Sequence, residues 1–182
     1  MISLKTNNKG EYVPAPGLRT RKSSIYTPGQ SEDFKVSRSK LTDFRKCPKC
    51  FYLDRVKGLK EPSLPGWSLN TRTDDLLKKE FDECREQQIP HRIMGPHGLV
   101  DVVPFKHEDM DRWRDSIHHG LEARFRDSNI ILHGGVDDIW WNVKTEQVIV
   151  VDYKSQANKN AVNPRTYLYA THKRWYAEQL DF

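Results

Sequence analysis

The sequence contains no uninterrupted run of about 18 apolar residues, which is the length that a membrane-spanning helix needs. Its first five residues lack the apolar centre of a secretion signal, and the mean hydropathy is −0.80. Only three of the 182 residues are cysteine, an odd and small number that argues against a disulfide scaffold and favours a reducing compartment. We therefore expect a cytoplasmic protein with no membrane partner.

Several catalytic motifs are also missing. The sequence has no glycine-rich phosphate loop, no dinucleotide-binding fingerprint and no Ser-His-Asp order, which argues against an ATPase, a dehydrogenase or an acyl-transfer enzyme. What the sequence does have is a modest excess of positive charge, with 30 Lys and Arg against 25 Asp and Glu and a net charge of +5. This balance is compatible with a phosphate-rich partner but does not identify one.

Composition and periodicity divide the chain into a tail and one domain. Residues 1–35 combine prolines and glycines with a basic run and show no hydrophobic period, which predicts a flexible N-terminal tail. Residues 36–182 contain the predicted elements: helices over 39–47, 71–88, 109–126 and 167–182, a short strand within 91–103, and strands over 130–132, 136–143 and 147–154. This order indicates an α/β domain with a small mixed β-sheet flanked by helices. Because the last helix is still running at residue 182, we expect a fragment or a truncated chain.

Three charged residues fall at the ends of neighbouring predicted strands: Asp137, Asp152 and Lys154. Alternate residues of a strand share a face, so Asp152 and Lys154 point to the same side. The two strands form a hairpin, and an even loop length places Asp137 opposite either Asp152, with a two-residue loop, or Lys154, with a four-residue loop. In either register the three side chains lie on one face, whereas an odd loop or a bulge separates them.

Two carboxylates and one lysine leave one negative charge without compensation at the end of an apolar run. A hard divalent cation such as Mg²⁺ supplies the compensation, because it binds carboxylate oxygens and retains water molecules. Such a metal activates a bound water and polarises a phosphodiester, while Lys154 is suited to neutralise charge that develops on phosphorus. The alternative for these residues is an ordinary salt bridge at a strand end on the protein surface.

A resemblance to the PD-(D/E)xK nuclease superfamily, in its RecB-like branch, is carried first by Gly135-Val136-Asp137-Asp138 and Val151-Asp152-Tyr153-Lys154. The run from Ser37 to Leu53, which includes Cys47-Pro48-Lys49-Cys50, is similar to the N-terminal segment of these nucleases, among them CRISPR-associated exonucleases. The resemblance implies a restriction-endonuclease-like core that cuts DNA, as single strands or at duplex ends, with Mg²⁺ or Mn²⁺ as cofactor. It also implies a role in DNA repair, recombination or defence, with a helicase or another nuclease subunit as partner.

The resemblance assigns further site residues. It implies that the catalytic group comprises Asp137, Asp152, Lys154 and Gln179, and that Asp137 and Asp152 hold the metal. The family carries a histidine ligand on its first helix, but residues 70–88 contain no histidine, so Asp74 is placed in that role, with Glu80 or Asp82 as substitutes. The alternatives are a solvated helix face for these three acids and an ordinary exposed position for Gln179.

The C-terminal segment is expected to contact nucleic acid. The resemblance places Tyr176 in a Gln/Tyr helix near the site or the DNA. Cations and aromatic residues also alternate in this segment, a mixture that suits phosphate neutralisation and base stacking, and Arg165, Lys173 and Arg174 are its candidate contacts. An amphipathic core helix with basic flanks is the alternative.

Cys47 and Cys50 have the spacing of half a zinc or iron–sulfur site, which makes them candidate metal ligands. A complete site needs about four ligands. Relatives with an iron–sulfur cluster combine one N-terminal cysteine with three C-terminal ones, and this chain contains no such trio, so neither cofactor is completed within it. The alternative is a structural cysteine pair without metal.

These observations lead to three functional hypotheses. The first is a metal-dependent nuclease. The second is a nuclease-fold module that binds nucleic acid without cutting it, because the helical histidine is missing and the last helix is cut short. The third is a cysteine-based zinc scaffold for partner proteins. Metal-dependent cutting of DNA would support the first hypothesis, and tight binding without cutting would support the second. Stoichiometric zinc without either activity would support the third.

Overall fold

The computed structural model describes residues 9–11, 17–60, 68–154, 162–163, 166–169 and 174–181. Within these residues the protein is a mixed α/β structure with two three-stranded sheets flanked by helices. The elements are β1 (Phe34–Ser37), α1 (Arg38–Lys46), α2 (Pro48–Arg55), α3 (Ser68–Gln87), β2 (Val102–Pro104), α4 (Met110–Arg114), β3 (Leu121–Arg124), β4 (Ile130–Gly134), β5 (Asp138–Asn142), β6 (Gln147–Val151) and α5 (Arg174–Leu180). None of the described helices has the length and apolar character that a membrane crossing requires.

The chain forms two compact units. Unit 1 comprises Met1–Gly66 and Glu122–Gly134, and unit 2 comprises Trp67–Leu121 and Gly135–Phe182. The chain therefore leaves unit 1, builds the first part of unit 2, returns to unit 1 for one short segment and then completes unit 2. The chain crosses between the units after Gly66, Leu121 and Gly134, and the boundary expected at residue 35 coincides with none of these three crossings.

The sheet of unit 1 has the strand order β1-β4-β3, and β1 runs parallel to β4. In β1, Phe34 and Val36 are buried while Lys35 between them is exposed, which is the alternation of a strand with one covered face. Helix α1 follows β1 directly and packs against α2. No residue separates β1 from α1, and only Cys47 separates α1 from α2, so these short connections fix the positions of both helices.

The described residues from 17 to β1 are a folded part of unit 1, so the expectation of a flexible tail does not hold for them. The backbone N–H of Arg19 donates to the carbonyl of Gly58 at 2.8 Å, and that of Lys60 donates to the carbonyl of Gly17 at 2.7 Å. The guanidinium of Arg19 also pairs with Asp54 of α2 at 2.5 Å. Backbone groups that have found partners in this way hold the segment against the end of α2.

The sheet of unit 2 has the strand order β2-β5-β6 with antiparallel neighbours, and α3 packs against β2. Phe81 of α3 is fully buried, and its ring stacks on Trp140 of β5 with centroids 5.2 Å apart. The ring of Tyr153, just after β6, lies 5.5 Å from the same phenyl ring. Burial of a side chain such as Phe81 contributes about 1.5–3 kcal/mol, and here it also packs the middle of β5 and the residue that follows β6 by two positions against α3.

Several expected elements are confirmed. The helices near 39–47 and 71–88 are α1 and α3, and the three strands after residue 130 are β4, β5 and β6. The described residues of the C-terminal segment contain a 3-10 turn at Tyr167–Tyr169 followed by α5. Helix α2 was not expected. Its first residue is Pro48, whose ring fixes a backbone angle that suits the first turn of a helix.

The single helix expected over 109–126 is wrong, since only α4 forms there and β3 follows it. The carboxylate of Asp115 accepts hydrogen bonds from the backbone N–H groups of Ile117 and His118, both at 3.2 Å. This local turn replaces the hydrogen bonds that would continue the helix. Gly120 has a φ of 81°, which a right-handed helix does not use.

Candidate active site

The β5–β6 hairpin sets the positions of the two acidic residues. Asp138 and Val151 form the last pair of the ladder, and the next position along each strand is occupied by Asp137 and Asp152. This register places Asp137 level with Asp152, the arrangement that the sequence predicted for a two-residue loop, although four residues separate the paired strands. The predicted link between loop length and register is therefore wrong, because the register depends on which residues the turn is centred on. The turn itself spans residues 143–146.

Asp137 is held by one backbone hydrogen bond and one nearby ammonium group. Its Oδ2 accepts from the backbone N–H of Tyr153 at 2.8 Å, and its Oδ1 lies 3.8 Å from Nζ of Lys78. Burial raises the pKa of this carboxyl, and the negative charges of Asp152 and Asp74 raise it further, against the effects of Tyr153 and Lys78. When Asp137 is ionised, the Tyr153 N–H and the Lys78 ammonium therefore do not fully offset the cost of burying its negative charge.

Asp152 is surrounded by the other two residues of the expected catalytic group. The ammonium of Lys154 pairs with its Oδ2, and the side-chain amide of Gln179, from α5, donates to its Oδ1. Nζ of Lys154 also lies 5.7 Å from the ring centroid of Tyr176, within cation–π range. The structure thus brings Asp137, Asp152, Lys154 and Gln179 together, with Tyr176 beside them.

Helix α3 contributes Asp74 and not its two substitutes. Asp74 and Lys78 are one turn apart on the helix, and Nζ of Lys78 lies 2.8 Å from Oδ2 of Asp74. Lys78 therefore stands between the carboxylates of Asp74 and Asp137. Glu80 instead pairs with His91 and with a neighbouring arginine, and Asp82 pairs with two arginines.

The segment that carries Asp137 is fixed against the residues after α4. A Cβ atom added at Gly135 would lie 2.8 Å from Cβ of Ser116 and 3.1 Å from the carbonyl oxygen of Arg114. The next residue, Val136, donates its N–H to the carbonyl of Trp113 at 3.2 Å. Only glycine allows this close approach without a shift of the backbone. Gly135 therefore determines the position of the segment that leads to Asp137.

Asp138, the neighbour of Asp137, is completely buried in an ion-pair network. Its Oδ1 accepts from Arg85 of α3 and from Arg114 of α4, the latter at 3.0 Å. Its Oδ2 accepts from the hydroxyl of Tyr153 at 2.6 Å and from the indole N–H of Trp140 at 3.3 Å. Burial and the Asp138 charge both raise the pKa of Tyr153, so its hydroxyl remains protonated and donates.

Sequence reasoning missed the roles of Lys78, Tyr153 and Asp138. Lys78 follows Asp74 by four residues, and that spacing on a helix is a recognisable ion-pair signal. Tyr153 and Asp138 lie inside the two motifs, but nothing in the sequence distinguishes them from the residues around them. The partners of Asp138, Arg85 and Arg114, carry no such signal because they meet it only through tertiary packing.

The donor set suits a hard divalent cation. The carboxylates of Asp74, Asp137 and Asp152 outnumber the ammonium groups of Lys78 and Lys154, which leaves one negative charge over. Carboxylate oxygens are the ligands that Mg²⁺ and Mn²⁺ prefer, and Asp137 and Asp152 are the residues that would hold the ion. The structure does not join Asp74 to them as a third donor, because Lys78 pairs with Asp74 and also lies beside Asp137. In the part of the chain that the structure describes, no three His, Cys, Asp or Glu side chains form a ready-made metal cage.

The other expected contacts with nucleic acid are less completely described. Arg165 and Lys173 lie outside the described residues, and the side chain of Arg174, at the start of α5, does as well. Tyr176 is described and lies beside Lys154. The expected DNA contacts of Arg165, Lys173 and Arg174 therefore stay predictions.

The cysteine pair differs from the expected metal half-site. Cys47 and Cys50 are joined as a disulfide at the start of α2, and Cys84 remains a free thiol. A sulfur atom binds zinc or iron as a thiolate, so two sulfurs bonded to each other are not available as ligands. In this oxidised form the pair does not serve as a metal half-site, and zinc or iron–sulfur binding by the two reduced thiols stays a prediction.

Comparison of the chain with protein-family models, with curated proteins and with solved structures finds no match. A function for the chain therefore has to be argued from the chemistry of this site.

Proposed function

We propose that the protein is a metal-dependent nuclease that hydrolyses phosphodiester bonds of DNA with Mg²⁺ or Mn²⁺. The observation that carries this proposal is the group at the end of the β5–β6 hairpin. Asp137 lies level with Asp152, and Asp152 pairs with both Lys154 and Gln179. Paired carboxylates beside a lysine are suited to in-line attack on a phosphodiester, which needs a metal-activated water and stabilisation of charge on phosphorus.

The proposal includes a restriction-endonuclease-like core in unit 2. Its support is an antiparallel hairpin that carries the acidic residues at its end and packs against a long helix, α3, whose Lys78 lies beside Asp137 and pairs with Asp74 of the same helix. The resemblance of the two motif segments to RecB-like nucleases supports the same core. It also supports a role in repair, recombination or defence, with a helicase or nuclease subunit as partner.

Each residue has a distinct part in this proposal. A divalent ion, when bound, activates water and polarises the phosphodiester. Lys154 places a compact positive charge near the reacting phosphate, where its attraction is stronger in the transition state than in the ground state. Gln179 holds Asp152 by a side-chain hydrogen bond. Tyr176 packs beside the ammonium of Lys154 and limits its orientations.

The test is digestion of end-labelled single-stranded and duplex DNA by the purified chain. We expect cutting with Mg²⁺ or Mn²⁺ and none with EDTA. Asp152→Asn removes the charge that holds the metal but keeps the shape, so it should abolish cutting while the circular dichroism spectrum stays unchanged. The matched control is Asp127→Asn, an exposed residue of unit 1, which should cut like the wild type. Wild-type cutting by Asp152→Asn would show that the metal assignment is wrong.

One observation favours the second hypothesis, a module that binds nucleic acid without cutting it. Lys78 already places an ammonium between the carboxylates of Asp74 and Asp137, and it neutralises part of the charge that a metal would neutralise. Under the nuclease proposal the metal must displace this ammonium. Lys78→Met should therefore bind Mg²⁺ more tightly than the wild type, measured by calorimetry, whereas a module without a metal site should bind no Mg²⁺ in either form.

A further inference from the structure

The two units differ sharply in charge. The sequence ranges of unit 1 contain 16 Lys and Arg against eight Asp and Glu, whereas those of unit 2 contain 14 against 17. Unit 1 therefore carries a net charge of +8 and unit 2 a net charge of −3, although the whole chain carries only +5. A polyanion is attracted to unit 1 far more strongly than the overall charge suggests.

Four of the eight acids of unit 1 pair with cations of the same unit. Asp54 is buried and pairs with three cations, Arg19, Lys40 and Arg55. Asp43 pairs with Lys40 as well. On the sheet, Asp33 pairs with Arg124 and Glu122 pairs with Lys35. These pairs use half of the acids of the unit and five of its 16 cations.

The helical pair of unit 1 combines exposed cations with exposed aromatic rings. The α1–α2 surface, as we name it, comprises Phe44, Arg45, Lys46, Lys49, Tyr52 and Lys57, all exposed. Phe44 is 45% exposed and Tyr52 is 46% exposed. Both residues therefore leave close to half of their surface accessible to a ligand.

Two ring contacts and one helical spacing relate the aromatic residues of this surface to its neighbours. The ring of Phe44 on α1 meets that of Phe51 on α2 edge to face, with centroids 5.4 Å apart. Lys49 and Tyr52 are three residues apart on α2, which places them on one side of that helix. Nζ of Lys57 lies 5.6 Å from the centroid of the Tyr52 ring. On α2, Tyr52 is therefore accompanied by the cations Lys49 and Lys57, and Phe44 lies against the same helix through Phe51.

We propose that the α1–α2 surface binds single-stranded nucleic acid, with its lysines and arginine on phosphates and with Tyr52 and Phe44 as stacking platforms for bases. A groove or surface that tracks a single strand needs both features, because the cations follow the backbone while every base offers a face for stacking. A duplex offers only its phosphates to such a surface, and an acidic peptide offers no bases. The inference rests on the proposed function for its biological meaning, but binding is measurable without cleavage.

The experiment measures fluorescence anisotropy of a labelled oligothymidylate with the full chain in EDTA, over a series of salt concentrations. Lys46→Gln/Lys49→Gln should lower the slope of log affinity against log salt by about 1.4, because each phosphate contact to a single strand contributes about 0.7. The matched control is Lys79→Gln/Lys144→Gln, which removes two exposed lysines from unit 2 and should leave the slope unchanged. Equal slopes for the two double variants overturn the proposal.

The aromatic part of the surface has its own test. Tyr52→Ala should weaken oligothymidylate binding by about 5-fold or more, within the range seen when one stacking side chain is removed. It should leave unchanged the binding of a DNA duplex and of a polyglutamate peptide. Equal losses for all three probes would mean an unspecific cationic surface and would overturn the single-strand assignment.

Cleavage of the same variants separates this inference from the proposed nuclease. If the wild type binds the oligonucleotide through this surface but does not cut with Mg²⁺, the inference stands and the nuclease proposal fails. If the wild type cuts with Mg²⁺ while both surface variants bind the oligonucleotide normally, the nuclease proposal stands and the inference about the α1–α2 surface fails.

Discussion

The hydroxyl of Tyr153 donates a 2.6 Å hydrogen bond to the buried carboxylate of Asp138. Through its backbone N–H, the same tyrosine donates to Asp137. One residue thus connects the buried ion-pair network to the candidate metal ligand, and it lies between Asp152 and Lys154 in the sequence. The geometry of the site therefore depends on a residue that has no direct chemical role in it.

Tyr153→Phe should lower the free energy of unfolding by about 1.5–3 kcal/mol, the usual size of a hydrogen bond to a charged group. The substitution keeps the ring that packs on Phe81, and it removes the shorter of the two hydrogen bonds to Oδ2 of Asp138. Urea denaturation measures the change. Tyr169→Phe removes a hydroxyl from a side chain that is 81% exposed and should change stability by less than about 0.5 kcal/mol. A similar small change for Tyr153→Phe would contradict the structural role assigned here.

Gly135→Ala should displace the segment that carries Asp137, because its Cβ would approach Cβ of Ser116 to 2.8 Å. We expect a destabilisation of about 1–3 kcal/mol, as for other overpacked sites, together with loss of Mg²⁺ binding by calorimetry. Gly95 is the matched control, since a Cβ there meets nothing within 4 Å and its φ is not positive. Equal stabilities for Gly95→Ala and Gly135→Ala would exclude this close approach.

Asp137 should make the metal-free protein less stable as pH rises. Its pKa in the folded state is raised above the ordinary value of 3.8 by burial and by two neighbouring acids. The folded protein therefore holds this proton more tightly than the unfolded chain, and the resulting stability is complete below about pH 3.8 and is lost as pH rises through the folded pKa. Asp137→Asn should remove this loss and raise the free energy of unfolding at pH 7 in EDTA by about 0.5–2 kcal/mol.

The check is a series of urea denaturations across pH, comparing the wild type with Asp137→Asn. Asp115 provides a control of opposite sign, because hydrogen bonds from the backbone and side chain of His118 lower its pKa. Its contribution to stability is present above pH 3.8 and is lost as pH falls through the lowered folded pKa. A difference between wild type and Asp137→Asn that does not vary with pH would disprove the assigned pKa direction.

Lys154→Ala should reduce single-turnover DNA cleavage by roughly 10²-fold or more, the usual effect of removing one preorganised electrostatic group. Affinity for DNA and for Mg²⁺ should change little, because the ammonium acts mainly on charge that develops in the transition state. Lys154→Arg should restore little activity, since a broad guanidinium does not replace a compact ammonium next to Asp152. Lys144→Ala, which removes an exposed lysine from the turn of the same hairpin, should cut normally. Normal cutting by Lys154→Ala would reduce the Asp152–Lys154 pair to a simple salt bridge.

The part of the structure that depends on local pattern could be predicted from the sequence. The strand period of β5 and β6 placed Asp137 near Asp152, and the resemblance placed Gln179 near them, where it donates to Asp152. The helical period around Trp113 was misleading, because the side chain of Asp115 offers the backbone a local turn that competes with the helix. Periodicity measures the spacing of apolar residues and carries no information about such competition.

The rest of the site depends on contacts between distant parts of the chain. Asp138 is buried only because Arg85 and Arg114 reach it across 53 and 24 residues of sequence. A buried carboxylate needs such partners, but the sequence does not show which of many cations will supply them. The same holds for β1, whose four residues are too few to stand out and whose strand partner is β4.

The parallel pairing of β1 with β4 also affects how the protein folds. Phe34 pairs with Ile130, which lies 96 residues later in the chain, and the intervening segment includes α3 and β2 of the other unit. Closing so long a loop costs conformational entropy before any strand contact compensates it, and folds with such distant contacts form slowly. A chain emerging from the ribosome can therefore form α1 and α2 early, but β1 has no strand partner until residue 130 and those after it have been synthesised.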